Sequence, residues 1–515
     1  MTTLTAPTQL EADAVDLAGF GYEQQLHRRL GSYASFAAGF SFVSILTTVF
    51  QLFAFGFAFG GPAFFWTWPM VFAGQLLVAL NFAELAAHYP IAGCIYQWSR
   101  RLSSGAIGWF AGWTMLVGQI IAVSAAAIAL QVVLPSVWSG FQLVGGDPAL
   151  ASKSGATNAV ILGAILIAVT TVINAIGVKV MSLINSIGVT CELVGVVLLV
   201  VLLFTHARRG PGVVLHTGGG GGTYIWAFLA SALMAAYVMY GFDSAGELSE
   251  ETRSPRRTAP RAIIRALVVS GIGGALLLVA ALMAAPSVSD GNLATGGLPY
   301  VLTSRLGTGV GKALLIDVAV AIAVCTLAIQ TAATRLSFSM SRDGVLPWSA
   351  RLATVNKRTG TPILPAVVIG VVSVAILFVN IGQAQLFTAV TGVSVVVVYS
   401  AYLLVTVPLL VRRFRGWPGA ARDDDPGTRF SLGRAGIAIN ALAVLYGLFM
   451  AVNIAWPRAA VYDPAGGHWY LTWFAELFLA GVLVFGALAY LARNRQARRA
   501  QPAMDLPSVE LAAAE

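Results

Sequence analysis

Apolar and polar positions in this chain do not alternate with the period of a strand. They are sorted into long blocks. Apolar stretches of at least 17 residues, ended by charges or by Pro and Gly clusters, fall at 36–58, 66–88, 105–134, 157–177, 181–205, 224–245, 262–284, 311–340, 362–380, 383–411, 433–455 and 469–491. A run of roughly 20 apolar residues is what an α-helix needs to cross a bilayer, and in lipid the helix satisfies its own backbone groups. The pattern predicts an all-α membrane protein of twelve transmembrane helices, numbered here as spans one to twelve. Spans one and six are rich in Gly, Ser and Thr. Spans eight and ten exceed a straight crossing, which predicts tilt or projection into the cytoplasm.

Composition agrees with the blocks. Of 515 residues, 57% are hydrophobic and 10% are charged, whereas soluble domains carry about 25% charge. A soluble enzyme, a disordered chain and a nucleic-acid binder are excluded. The net charge of +9 reads as topology. With the N-terminus inside, 25 of the 31 Lys and Arg residues fall on cytoplasmic segments, and only Lys153, Arg208, Arg209, Arg305, Lys312 and Arg458 fall outside. That bias sets orientation, so both termini are placed in the cytoplasm. Residues 1–35 hold Glu11, Asp13, Asp16 and Glu23 and no apolar core, so they form a leader rather than a signal peptide. Residues 493–515 form a polar, mobile tail. The basic stretch from Arg253 to Arg265 is a solvated loop, and Gly218–Gly222 is an external linker without the context of a phosphate cradle. Cys94, Cys191 and Cys325 are far apart and read as packing residues. Neither they nor the five histidines have metal-ligand spacing. No nucleophile–base constellation or nucleotide loop points to an enzyme, and no cofactor is implied.

Charges inside a membrane are costly and so mark function by default. Five acids lie in or at the edge of the apolar runs: Glu84, Glu192, Asp243, Asp317 and Glu476. Glu84 is near the cytoplasmic end of span two, with a structural and a functional reading. Asp317 is near the external end of span eight and is read as snorkelling; Glu476 is read as structural. Glu192 sits in the middle of span five, where no basic residue of the same span can pair with it. Asp243 follows Tyr240-Gly241-Phe242 in span six, where Gly lets a helix unwind. Span one offers Gly39, Ser41, Ser44, Thr47 and Thr48. A broken helix at the membrane midplane frees backbone groups for a ligand, and spans one and six are equivalent in a repeat of five.

Four stretches carry a family resemblance: LAGFGYEQQLHRRLGSYASFAAGFSF; GPAFFWTWPMVFAGQLLVALNFAELAAHYPIAGCIYQWSRRL with Glu84, Pro90, Gly93 and Tyr96; YGFDSAGELSEETRSPRRTAPRAI with Glu250, Glu251 and Pro260; and TRLSFSMSRDGVLP. Over roughly residues 17–490 the chain resembles the amino acid–polyamine–organocation superfamily, and within it the amino acid/choline transporter branch. The resemblance implies a leucine-transporter-type fold. Residues 1–35 would be the leader, 36–205 the first inverted repeat of five spans, 206–411 the second, 412–492 the two extra helices and 493–515 the tail. It implies a secondary active transporter that imports an amino acid or related amine (GABA, a polyamine or a choline-like solute) by proton symport and alternating access. An exchanger or a substrate sensor on the same fold is the alternative. Substrate would meet Ser44, Thr47, Thr48, Tyr240, Gly241, Phe242, Asp243 and Ser244.

The chain departs from the superfamily pattern twice. Leu46-Thr47-Thr48 stands where a Gly-Ser-Gly type turn is expected in span one, and Glu192 stands where other branches carry a Lys that replaces a sodium ion. Glu192 is read either as a proton-coupling or cation-interacting group, with Asp243, or as a neutral acid hydrogen-bonded to span one or eight. Sodium, at hydroxyls such as Thr326, is the second candidate for the coupling ion. Glu84, Glu250, Glu251 and Arg335 are assigned to the cytoplasmic gate and loop. Gln119 and Tyr399 are positional candidates for the pocket. The partners implied are a small molecule and the bilayer, with no nucleic acid and an open oligomeric state. The excess of Arg over Lys suggests a bacterial inner (plasma) membrane.

Overall fold

A computed structural model describes residues 8–218, 224–379, 381, 386–418, 429–463 and 466–500. Among the described residues the architecture is all-helical; the only sheet-like pairings are two isolated bridges, Leu30 with Thr252 and Asn356 with Thr361. Among the described residues ten helices are long and apolar enough to cross a membrane, and two shorter apolar helices, Tyr224–Val238 and Ile363–Val379, occupy the places of spans six and nine. Span six is short because its helix stops at Val238, so the apolar run to residue 245 continues through a break.

Several predicted boundaries move. Span one starts at Ser32, after Gly31. The leader contains the helix Gln9–Ala18, whose N-terminus carries a capping box made by Thr8 and Glu11. The last helix runs Phe474–Ala500, so the first residues of the predicted tail are helical; no proline occurs between Phe474 and Pro502 to stop it earlier. Residues 501–515 of that tail, 219–222 of the Gly linker and 1–7 of the leader lie outside the described residues. The helix Gly291–Arg342 contains span eight, preceded by extra turns that kink at Gly297 and Gly307, both at positive φ.

The packing order has a regularity. Ser32–Val43 and Thr67–His88 both pack on Pro255–Ala284, and Ile45–Gly60 packs on Tyr224–Val238 and Gly291–Arg342. Tyr224–Val238 in turn touches Thr67–His88. Around this centre, Gly105–Ile128 packs on Leu386–Phe414, Val178–Thr205 on Gly291–Arg342, and Lys153–Ile176 on Ile363–Val379. Contacts recur when span numbers shift by five: one with seven mirrors six with two, and three with ten mirrors eight with five. Burial grades outward. The span-one window is 78% buried, against 33% for Gly433–Ala455 and 17% for Phe474–Asn494. The two last helices are therefore peripheral, and their exposed side chains (Leu445, Val452, Phe485, Leu488) are apolar, as a lipid-facing surface requires.

Candidate substrate and coupling site

Two helix breaks meet at the centre. Span one is interrupted at Ser44, between Ser32–Val43 and Ile45–Gly60, and Ser44 has φ +36°. The break therefore precedes Leu46-Thr47-Thr48, the positions expected from the sequence, which instead form the first turn of the second half-helix. A local reason is visible: the Ser44 hydroxyl caps that turn by accepting from the Thr47 N–H at 3.4 Å. Span six is interrupted from Met239 to Asp243, with Gly241 at φ +91°. The ring of Phe42 lies where a Gly241 side chain would be, 1.8 Å from an added Cβ. The helix that follows the span-six break is tied to the first half of span one: the Ser244 hydroxyl donates to the Ala38 carbonyl at 3.1 Å.

A broken helix leaves backbone groups without partners. Here the protein occupies several of them itself. Glu192, 1% exposed on Val178–Thr205, accepts from the Leu46 N–H at 3.0 Å and the Ser44 hydroxyl at 2.9 Å. Its Oε2 is buried without a hydrogen-bond partner. The carbonyl of Phe42 accepts from the Cys325 thiol at 3.5 Å, and those of Val43 and Ser44 accept from the Thr48 hydroxyl at 3.2 and 2.7 Å. Thr326, the sodium candidate, donates within its own helix to Ile322.

Asp243 is fully buried. It accepts from the Tyr402 hydroxyl, and that hydroxyl accepts from the Gly241 N–H at 2.9 Å, so one phenol braces the whole span-six break. Tyr240 bonds Ser394 at 3.0 Å. Aromatic rings line the junction: Phe42–Tyr240 at 6.0 Å, Tyr237–Tyr240 at 5.7 Å, Phe242–Tyr402 at 5.8 Å and Phe82–Tyr402 at 4.9 Å between centroids. Ser44, Thr47, Thr48, Tyr240, Gly241, Phe242, Asp243 and Ser244 are thus brought together, and all are buried. Gln119 is buried with both amide atoms unpartnered, whereas Tyr399 is bonded to Tyr446 at 3.0 Å.

The face carrying the basic loops is closed by ion pairs. Glu251 pairs with Arg335 at 2.8 Å, with exposures of 0% and 1%. Glu250 receives both terminal nitrogens of Arg342 at 2.8 and 2.9 Å and the Ala92 N–H at 3.1 Å. Burial pushes the Glu251 carboxyl above its ordinary value, and the Arg335 guanidinium pulls it back down. The leader takes part: Leu30 donates to the Glu251 carbonyl at 2.8 Å and accepts from the Arg253 N–H at 2.9 Å, and Tyr22 donates to Asp343 at 2.9 Å. Glu84 stands apart from this closure. It pairs with Arg413 and accepts from the Leu432 N–H at 2.9 Å, which ties the end of span two to the loop before span eleven.

Two expectations change. Asp317 does not snorkel outward; it is half-buried, its Oδ2 is buried, and it lies over Gly195 of span five, where an added Cβ would be 1.7 Å away. Gly at 195 is what makes room for that carboxylate. Cys191 is exposed on its helix rather than packed, whereas Cys94 and Cys325 are buried. Sequence reading also missed Tyr402, Arg342 and Glu247. Glu247 lies just past the predicted end of span six, which is why it was passed over; its spacing of four residues from Asp243 was the available signal.

Two interrupted helices that meet at a buried polar centre are an arrangement membrane transporters use to bind ions and solutes. The chain matches the amino acid permease family over residues 30–485 and belongs to it, in agreement with the superfamily resemblance of its motifs. It is 27% identical over 470 residues to the amino-acid permease BAT1 homolog of Oryza sativa subsp. japonica, covering 86% of this chain and 87% of that one. It is 25% identical over 472 residues to the amino-acid permease BAT1 of Arabidopsis thaliana, covering 87% and 89%. The thiamine transporter thi9 of Schizosaccharomyces pombe is 24% identical over 522 residues, covering 92% of this chain and 84% of that one.

Proposed function

We propose that this permease imports an amino acid or a related amine, such as GABA, a polyamine or a choline-like solute, across the cell membrane by proton symport. The observation that carries the reading is the occupation of the span-one break by Glu192. The Leu46 N–H that an anionic group of a substrate would seek already holds a carboxylate, so the end of the solute left to be recognised is its cationic one. The aromatic walls support the same end, because a cation gains about 0.5–2 kcal/mol over a ring face. Asp243, with one oxygen unpartnered, is its counter-charge. Relatives named as amino-acid permeases and as a thiamine transporter are compatible with a nitrogenous solute.

Glu192 is the proton-coupling group. Among the described residues it has no ion-pair partner, and its unpartnered Oε2 is free to take a proton while Oε1 accepts from Ser44 and Leu46. The Phe42, Val43 and Ser44 carbonyls that a sodium ion between spans one and eight would seek already accept from the Cys325 thiol and the Thr48 hydroxyl, which makes them weaker ligands for it. The contact symmetry supports two inverted repeats of five spans plus two peripheral helices, in a twelve-span topology. The charge bias supports a cytoplasmic basic face and cytoplasmic termini, and the excess of Arg over Lys supports a bacterial inner (plasma) membrane. Glu250, Glu251 and Arg335 then close the cytoplasmic gate.

The test begins with a melting-point screen of the purified protein against amino acids, GABA, polyamines and choline, since a ligand stabilises by mass action. A compound that raises the melting point is then used in proteoliposomes. Net uptake driven by an inward proton gradient is expected, and Glu192→Gln is expected to abolish the dependence on that gradient. Gradient-dependent uptake by Glu192→Gln would remove the coupling role. Exchange without net uptake would make the protein an exchanger, and binding without exchange a sensor. Asp243→Asn is expected to weaken apparent affinity for a cationic solute by tenfold or more, on the order of 1.4 kcal/mol; unchanged affinity would rule out the amine contact.

A further inference from the structure

Glu247 stands one helical turn after Asp243, on the short helix Ser244–Glu247 beyond the span-six break, and it is fully buried. Among the described residues neither of its carboxylate oxygens nor the Asp243 Oδ2 makes a hydrogen bond of good geometry, and the polar groups that face Glu247 are the Cys94 thiol and the N–H groups of Gly93 and Cys94. The thiol of Cys94, first residue of the helix Cys94–Leu102, completes a group whose donor atoms lie within 4.8 Å of one another. The ionisable groups around the pair are Cys94 and the Tyr402 phenol, neither of which supplies positive charge. The buried or half-buried arginines of the packed neighbours are engaged elsewhere: Arg335 with Glu251, Arg342 with Glu250, and Arg256, on Pro255–Ala284, with Asp16; Arg257, Arg261 and Arg265 of the same helix are exposed. On Ser32–Val43 the ionisable side chain is Tyr33, which bonds Thr190. On Gly291–Arg342 the nearest buried thiol, Cys325, is engaged with the Phe42 carbonyl.

Two carboxylates cannot both stay charged so close together in a dry interior without a cation. We infer that Asp243 and Glu247 hold one proton between them and that this proton latches the exit of span six onto the first cytoplasmic hairpin at Cys94. Loss of the proton places two like charges in a buried elbow. Water must then enter, and the elbow separates from Cys94, opening the path to the cytoplasmic face. The inference rests on the transporter reading for its meaning, but its test uses no substrate, so either can fail alone.

The test compares melting midpoints of the purified full-length protein and Glu247→Gln, an uncharged stand-in for the protonated acid, between about pH 5 and about pH 8. In the unfolded chain both acids are ionised across that range. A folded state that keeps an extra proton loses stability as pH rises. Glu247→Gln is therefore expected to melt higher than the parent by a few degrees at the alkaline end, with the gap closing toward the acid end. A variant that melts lower than the parent, or by an amount independent of pH, overturns the shared proton. Asp243→Asn serves as a second variant with the same expected sign. The latch is read by N-ethylmaleimide labelling of Cys94 in a Cys191→Ser, Cys325→Ser background at one alkaline pH. Adding Glu247→Gln is expected to slow labelling severalfold. Removing the neighbouring charge alone would raise the thiolate fraction and speed it, so equal or faster labelling overturns the latch. A rise in melting point with Zn2+ that Cys94→Ser abolishes would assign the site to a metal and overturn the proton.

Discussion

Arg335→Met is expected to destabilise the protein by about 3–5 kcal/mol, the cost of stranding a buried partner charge. Arg335 and Glu251 are almost completely enclosed and meet at 2.8 Å. No other cation reaches Glu251 by an ion pair among the described residues. Met preserves bulk and packing, so the loss reports the charge. The pH dependence has a definite sign. Burial already raises the Glu251 carboxyl and Arg335 opposes it; without the guanidinium, burial acts unopposed. A folded carboxyl that titrates above its unfolded value loses stability as pH rises. The deficit of Arg335→Met relative to the parent is thus largest at alkaline pH and shrinks on acidification. Arg335→Met combined with Glu251→Met is expected to recover most of the loss, because apolar replacement of a whole buried pair is often neutral or better. Melting midpoints of the four proteins form the cycle. A single variant as stable as the parent would show that the pair is no structural lock.

Gly241→Ala is expected to cost roughly 2–5 kcal/mol, from backbone strain and overpacking together, and to abolish transport of whichever solute the screen identifies. Two demands meet at this residue. Its φ of +91° is one that side-chain-bearing residues rarely adopt. An added Cβ would also sit 1.8 Å from the Phe42 ring, which belongs to the facing half of span one. The two can be separated. Phe42→Ala in the Gly241→Ala background relieves the collision and leaves the strain, so partial recovery of melting point is expected without recovery of transport. Full recovery would mean that packing alone requires glycine here, and no recovery would mean that conformation alone does.

How far the site was legible from sequence differs residue by residue. Gly241 was legible because glycine beside Asp243 inside an apolar run is a local anomaly. Glu192 was legible because an acid in mid-span has no other explanation on its own helix. The span-one break was placed slightly too late, because Ser44 and the threonines after it have similar local preferences. What decides for Ser44 is long-range: Glu192 accepts from both Ser44 and Leu46 across 146 residues and more of sequence. Tyr402 was illegible for the same reason. Tyrosines in span ten look alike in sequence, and only the fold shows that one of them holds both Asp243 and Gly241. Asp317 was misjudged because depth along a helix says nothing about which neighbour it faces.

The sequence by itself determined that this chain lives in a bilayer, which of its segments are apolar enough to cross it, and to which family it belongs. These follow from apolar length, charge placement and local motifs, all of which are properties of contiguous residues. Only the tertiary structure decided which buried charges are paired and which are not. Glu250, Glu251 and Glu84 find arginines from distant helices, while Glu192, Asp243 and Glu247 do not. A charge is stabilised or stranded by what packs against it from other elements, and helix packing in three dimensions supplies that answer.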